Sequence, residues 1–381
     1  MKKIKKIAIY FFGIVIILNA IVIFSGNQHL YKGIVNTYLK GKKGPDIDEY
    51  QIFENRKIAS KNPQPLAVKQ TSFELTTEQE EYLKNLETTA LFIVKNDSIV
   101  FEKYCEGYNE SSVTNVFSAA KSVVSMLIGA AIKDGLIQSV NQKAKEIIPE
   151  YEATLGEVTI KELLQMTSGI NFDESYTNPF AFPAKAYYTN DLKSLMHNYQ
   201  PKESPGTIWK YKGGDTQFLA FILEKVTGKT VSEYAQEKLW KPLGMNEDAY
   251  WSLDDENGVE KASCCINSNP RDFAKLGLLM LKMGNYNGQQ IIDSAFVKES
   301  ITPVNLPDEN NEIVNYYGYQ WWIYPDKSET IFYARGILGQ YLIVIPSRNL
   351  VMVRFGKKRE KENIEGHPKD FFEYIKLSKE F

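Results

Sequence analysis

The chain has 381 residues, 43% of them hydrophobic and 13% aromatic, enough to bury a large core in one large domain or two closely packed ones. Its 45 basic and 47 acidic residues leave a formal charge of −2, so nucleic acid has no global basic surface to bind. Three histidines exclude more: there is no His-Glu-x-x-His, no Cys/His cluster with metal-ligand spacing and no Gly-x-Ser-x-Gly elbow, so a serine acting here needs a base other than histidine.

Lys2, Lys3, Lys5 and Lys6 precede an apolar run over residues 7–24 that only Gly13 and Asn19 interrupt. Residues 1–25 therefore read as a signal anchor or signal peptide, with the lysines cytoplasmic and everything after them outside the cytoplasm. The lack of an Ala-x-Ala site favours an uncleaved membrane anchor; the alternative is secretion after cleavage. Residues 26–77 are polar, carry Gly-Lys-Lys-Gly-Pro and Asn-Pro-Gln-Pro, and read as a stalk or wrapping segment.

Residues 90–94 and 98–104 are β-rich and flank a turn, which predicts a hairpin. A helix is expected to begin at Phe117 and to end at Gly135, and further helices are expected over 159–166, 215–227 (capped by Asp215), 231–239 and 270–283. Cys264 and Cys265, like Cys105, read as small packing residues, because adjacent cysteines rarely bridge. Short strands return at 319–324, 330–333, 340–345 and 350–355. The order implies an α+β fold: an antiparallel sheet built from both chain ends and flanked by helices, plus an all-helical lobe.

At 100° per residue, Ser118, Lys121, Ser122, Ser125 and Gly129 share one face of an otherwise apolar helix. Burial disfavours a charged ammonium, and a neutral amine three residues from Ser118 can accept its hydroxyl proton. The helix N-terminus adds unpaired amide donors for a developing oxyanion. Ser-x-x-Lys is a common pattern, but Ser118 is the only serine in the chain with lysine three residues on. Tyr211 lies in a turn-rich loop, where a tyrosine near lysine can shuttle protons; with 23 tyrosines in the chain, packing is the competing reading. Two glycines break the β-rich stretch from Tyr333 to Tyr341, as expected for a close backbone approach or for a bulge.

In order and spacing these three elements resemble the Ser-x-x-Lys, Tyr-x-Asn and Lys-Thr-Gly motifs of the serine β-lactamase and penicillin-binding-protein superfamily. Its class C-like esterase and amidase branch is matched further by Leu163-Leu-Gln-Met-Thr-Ser-Gly-Ile170, Pro205-Gly-Thr, Pro242-Leu-Gly-Met245, Arg271-Asp-Phe-Ala-Lys-Leu-Gly277 and Tyr317-Gly-Tyr-Gln-Trp-Trp322. The third motif, Ala334-Arg-Gly-Ile337, is similar to that of the 6-aminohexanoate-dimer hydrolase group. The resemblance implies a hydrolase domain over residues 78–358, a tail over 359–381 and no cofactor. By the same resemblance Ser118 attacks, Lys121 and Tyr211 handle protons, the amides of Ser118 and Ile337 hold the oxyanion, and Tyr176 and Gly336 contact substrate.

Two departures narrow the chemistry. Gly213 replaces the second motif's asparagine and Ala334 the third motif's lysine, while strand alternation turns Arg335 to the opposite face from Ala334. A small neutral ester or amide substrate is expected. A D,D-peptidase or β-lactamase, and a non-catalytic envelope binding protein, remain as alternatives.

Overall fold

The computed structural model describes residues 2–69, 71–325 and 329–381, so Met1 of the charged N-terminus lies outside the described residues. Seven strands form the main sheet: β1 (Ala67–Val68), β2 (Thr88–Lys95), β3 (Ser98–Tyr104), β4 (Trp322–Pro325), β5 (Thr330–Gly336), β6 (Gln340–Ile345) and β7 (Leu350–Gly356). Their spatial order is β4-β5-β6-β7-β2-β3-β1. All neighbours are antiparallel except the short edge pair β1 and β3. The hairpin between β2 and β3 closes tightly because Asn96 and Asp97 both take positive φ (50° and 63°), which suits the right-handed strand twist.

Alternation along these strands fills both faces of the sheet. Phe92, Val94, Phe332, Ala334, Leu342 and Val353 join the helical core, whereas Leu91, Ile93, Tyr333, Tyr341 and Met352 pack with Phe371 and Tyr374. The last two belong to the C-terminal helix Lys369–Leu377.

Five further helices matter here: α1 (Lys2–Phe24), α2 (His29–Asn36), α3 (Ala120–Lys133), α4 (Gly213–Thr227) and α5 (Pro270–Leu281). α3 is buried at every residue from Ala120 to Ala131, as its apolar composition requires. α5 approaches the sheet closely at Gly277, where a Cβ would meet Val351 Cγ1 at 2.6 Å. The helical lobe gathers around α4, with shorter helices at Ile160–Gln165, Phe182–Tyr188 and Val231–Ala235.

Residues 26–77 run along this body. Asn55–Ile58 pairs antiparallel with Ala249–Ser252 in a second, four-stranded sheet, and the Gln64 carbonyl accepts a 2.9 Å hydrogen bond from Lys275 Nζ. Lys3–Phe24 is long and apolar enough to cross a membrane, and none of its apolar window is buried against the rest of the chain.

Three expectations are corrected. Cys264 and Cys265 are joined by a disulfide; extended neighbours would point apart, but φ of 73° at Cys265 turns the chain and brings both sulfurs to one side. Asp215 does not cap α4, which begins at Gly213; its carboxylate instead accepts from Ser168 Oγ at 2.6 Å. The helix expected from Phe117 opens with a 3₁₀ turn, Phe117–Ala119, before α3.

Candidate active site

Ser118 owes its position to the residue before it. Phe117 takes a left-handed φ of 47°, and its amide donates to Asn115 Oδ1 at 2.8 Å. The chain leaving the short strand Thr114–Asn115 is thereby turned sharply into α3, with Ser118 half-buried at its start. One turn later Lys121, 3% exposed, donates from Nζ to Ser118 Oγ at 3.2 Å and to the carbonyl of Ser263. The Ser263 contact comes from the residue next to the Cys264–Cys265 bridge. Farther along the same face Ser122 donates to the Gln320 carbonyl at 2.6 Å, so that part of the stripe serves packing.

Aromatic side chains wall the site. Lys121 Nζ lies 5.3 Å from the centre of the Tyr211 ring, and that ring stacks on Trp322 at 5.7 Å. Arg335 does lie on the strand face opposite Ala334, yet its guanidinium stacks at 3.6 Å on the same Trp322, so it borders the aromatic wall. Tyr176 is 55% exposed overall, with Ser118 and Tyr211 among the groups that influence its phenol. Burial, with Tyr211 and Glu174 adding to it, holds the Tyr176 phenol well above its ordinary pKa, so at neutral pH it keeps its proton.

The end of β5 approaches the turn that carries Ser118 from the other side. A Cβ on Gly336 would lie 2.2 Å from the Val116 carbonyl oxygen, two residues before Ser118. Only glycine lets the two backbones meet so closely, and Ile337 follows at once in the turn Ile337–Gly339.

Sequence reasoning missed Glu174. The Gly213 amide donates to its Oε1, and a Cβ on Gly213 would sit 3.1 Å from that oxygen and 3.1 Å from the Phe182 ring. The space a side chain at 213 would enter is therefore occupied. Burial raises the Glu174 carboxyl to about 7, with the nearby Lys121 and the Gly213 amide pulling it back. Its only sequence signal was an acid two residues before Tyr176. Alongside, Asp215 is also raised to about 7, first by burial, and Lys212 is 1% exposed with no partner for Nζ among the described residues.

The Glu174 shift makes stability depend on pH. Its folded value lies above the ordinary 4.5, so between about pH 4.5 and 7 the folded chain holds this proton more tightly than the unfolded chain does. Stability from this group is therefore greatest at low pH and falls as pH rises through that window. Glu174→Gln removes the loss: between pH 5 and 8 its melting temperature should decline less than the wild type's, by about a few degrees. Parallel melting curves across that range would show that Glu174 does not titrate there.

Among the described residues no group of three or more His, Cys, Asp or Glu side chains could hold a metal. A surface groove of about 420 Å³ bordered by Lys61, Lys229 and Glu237 contains none of the residues described above.

Comparison with known proteins identifies the family. The family model described as Beta-lactamase matches residues 78–369. The chain is similar to the 6-aminohexanoate-dimer hydrolase of Paenarthrobacter ureafaciens, 23% identical over 311 residues that span 76% of this chain and 77% of that one. It is also similar to the lovastatin esterase of Penicillium rubens, 25% identical over 189 residues, 44% of this chain and 46% of that one. A solved Bacillus anthracis protein, proposed to be a 6-aminohexanoate-dimer hydrolase, superposes with a TM-score of 0.73 at 25% identity, covering 87% of this chain and 90% of its own.

Proposed function

The chain belongs to the β-lactamase family, and from that premise we propose that it is a serine hydrolase that cleaves carboxylic esters or small amides through an acyl-enzyme on Ser118. The observation that carries the reading is the buried Lys121 amine 3.2 Å from Ser118 Oγ at the start of α3. In its neutral form Lys121 takes the hydroxyl proton as Oγ bonds to the substrate carbonyl carbon. The resulting oxyanion is held by the amides of Ser118 and Ile337. Tyr211, beside Lys121, passes the proton to the departing alkoxide or amine as the C–O or C–N bond breaks. Water then attacks the acyl carbon, gives up a proton along the same route and releases the acid with Ser118 restored. Tyr176 donates a hydrogen bond at the mouth, and Gly336 presents the strand edge along which substrate lies.

A small, neutral substrate follows from what surrounds the serine. Ala334 brings no cation, Arg335 is held in its stack on Trp322, the place of a side chain at 213 is filled by Glu174, and aromatic rings line the wall. α1 anchors the chain in a membrane, with its lysines cytoplasmic and the hydrolase domain on the other side.

The test is covalent. A fluorophosphonate probe should label one site, mapped by mass spectrometry to Ser118, in a protein that also hydrolyses short-chain nitrophenyl esters. No labelling and no turnover would identify a non-catalytic binding protein, and preferential acylation by a fluorescent penicillin would move the substrate to β-lactams.

A further inference from the structure

α2 is amphipathic in the wrong sense for a helix on a water-exposed surface. Its inward face is His29, Gly33 and Thr37: His29 and Thr37 are each 6% exposed, and a Cβ on Gly33 would touch the Tyr188 ring at 3.4 Å. Its outward face, with the 3₁₀ turn Tyr38–Lys40 that follows, shows Tyr31, Ile34, Val35, Tyr38 and Leu39, exposed by 40, 44, 51, 68 and 74%. Positions 31, 34 and 35 follow the helical i, i+3, i+4 spacing on α2, and past the break at Thr37 the exposed Tyr38 and Leu39 extend the apolar surface.

A second contact fixes what covers the stripe. Tyr31 Oη donates to Asn19 Oδ1 at 2.7 Å, which ties the first turn of α2 to the last turns of α1. Asn19 stands five residues before the end of α1, roughly 7.5 Å along its axis at 1.5 Å per residue. An interfacial helix buries its apolar face about 5–10 Å into the boundary between headgroups and acyl chains, the same depth. Two tyrosines on the stripe suit that level of a bilayer.

We propose that α2 is an interfacial helix that seats the hydrolase on the lipid surface, so that the entrance to Ser118 opens toward esters or amides carried by membrane amphiphiles. The proposal rests on the membrane reading of α1 and deepens the substrate class of the same site. α2 is tied to the loop that carries Glu174 and Tyr176. His29 Nε2 lies 2.8 Å from the Pro179 carbonyl on that loop, and Lys32 Nζ donates at 2.8 Å to Asn190 Oδ1, just past the helix Phe182–Tyr188 that follows it. Phe180, on that loop, is 53% exposed beside the half-open Tyr176. The elements that frame the nucleophile and those that face the lipid are thus one connected piece.

The experiment uses the full chain in nanodiscs of mixed phosphatidylcholine and phosphatidylglycerol. All five native tryptophans are at most 7% exposed, so a Leu39→Trp variant reports on residue 39 above a quiet background. Lipids brominated near the headgroup should quench its added fluorescence about twofold or more. Absence of quenching overturns the seating, and concentration-dependent dimerisation in its place would assign the stripe to a second copy of the chain. In parallel, Ile34→Glu with Leu39→Glu should lower hydrolysis of a long-chain ester dissolved in the disc about tenfold or more. Hydrolysis of a soluble short-chain ester should stay within about twofold of wild type. Equal retention of both activities overturns the link to substrate. Quenching without hydrolysis of either ester would leave the seating intact and refute the serine-hydrolase reading, so the two failures are distinct.

Discussion

Ser118→Ala should lower kcat for a short-chain nitrophenyl ester by roughly four to six orders of magnitude, and Lys121→Ala by nearly as much. In the proposed mechanism the two groups act as one unit. Lys121 Nζ has Ser118 Oγ and the Ser263 carbonyl as partners, at a site where no histidine is found to take over the proton. Removing either leaves only the oxyanion donors and substrate binding, so the double variant should be no worse than Ser118→Ala alone. Steady-state kinetics on the three variants checks this. Multiplicative losses in the double variant would mean that serine and lysine serve separate steps, and unchanged hydrolysis would remove Ser118 from the mechanism.

Gly336→Ala is the second large effect, and it acts without touching the nucleophile. A methyl at 336 would fall 2.2 Å from the Val116 carbonyl oxygen and 3.1 Å from Gln340 Cβ. The first of these is backbone and cannot swing aside, so β5 must retreat from the turn that holds Ser118. The Ile337 amide retreats with it. Loss of one oxyanion donor costs about 10²–10³ in kcat, with KM changed much less. Fluorophosphonate labelling should slow in parallel while the far-ultraviolet circular dichroism stays that of the wild type. A kcat within about threefold of wild type would show that the 337 amide does not serve the oxyanion.

The nucleophile's surroundings were legible where the chemistry is local in sequence. Ser118 and Lys121 sit one helical turn apart, and the 3.2 Å contact follows from that spacing. The strands were legible because β-rich runs punctuated by turns leave few other options, and the hairpin at Asn96 and Asp97 is an instance. Contacts that depend on distant segments were not. Glu174 reaches Gly213 across 39 residues, and nothing in its own neighbourhood marks it as enclosed. Asp215 has the composition of a cap, but burial beside Ser168 gave it a different partner. The Cys264–Cys265 bridge depends on one positive φ that two adjacent cysteines do not announce.

The strand order has a consequence for how the protein is made. β7, from near the end of the chain, lies between β6 and β2 and pairs Val351 with Val94 and Met352 with Ile93. The sheet cannot close until the ribosome has released that strand, since closure waits for contacts far apart in sequence. Ser118 and Lys121 precede both β5, which meets their turn at Gly336, and β7 in the chain. A growing or terminated chain that lacks β5 and β7 therefore carries Ser118 without the sheet that frames it.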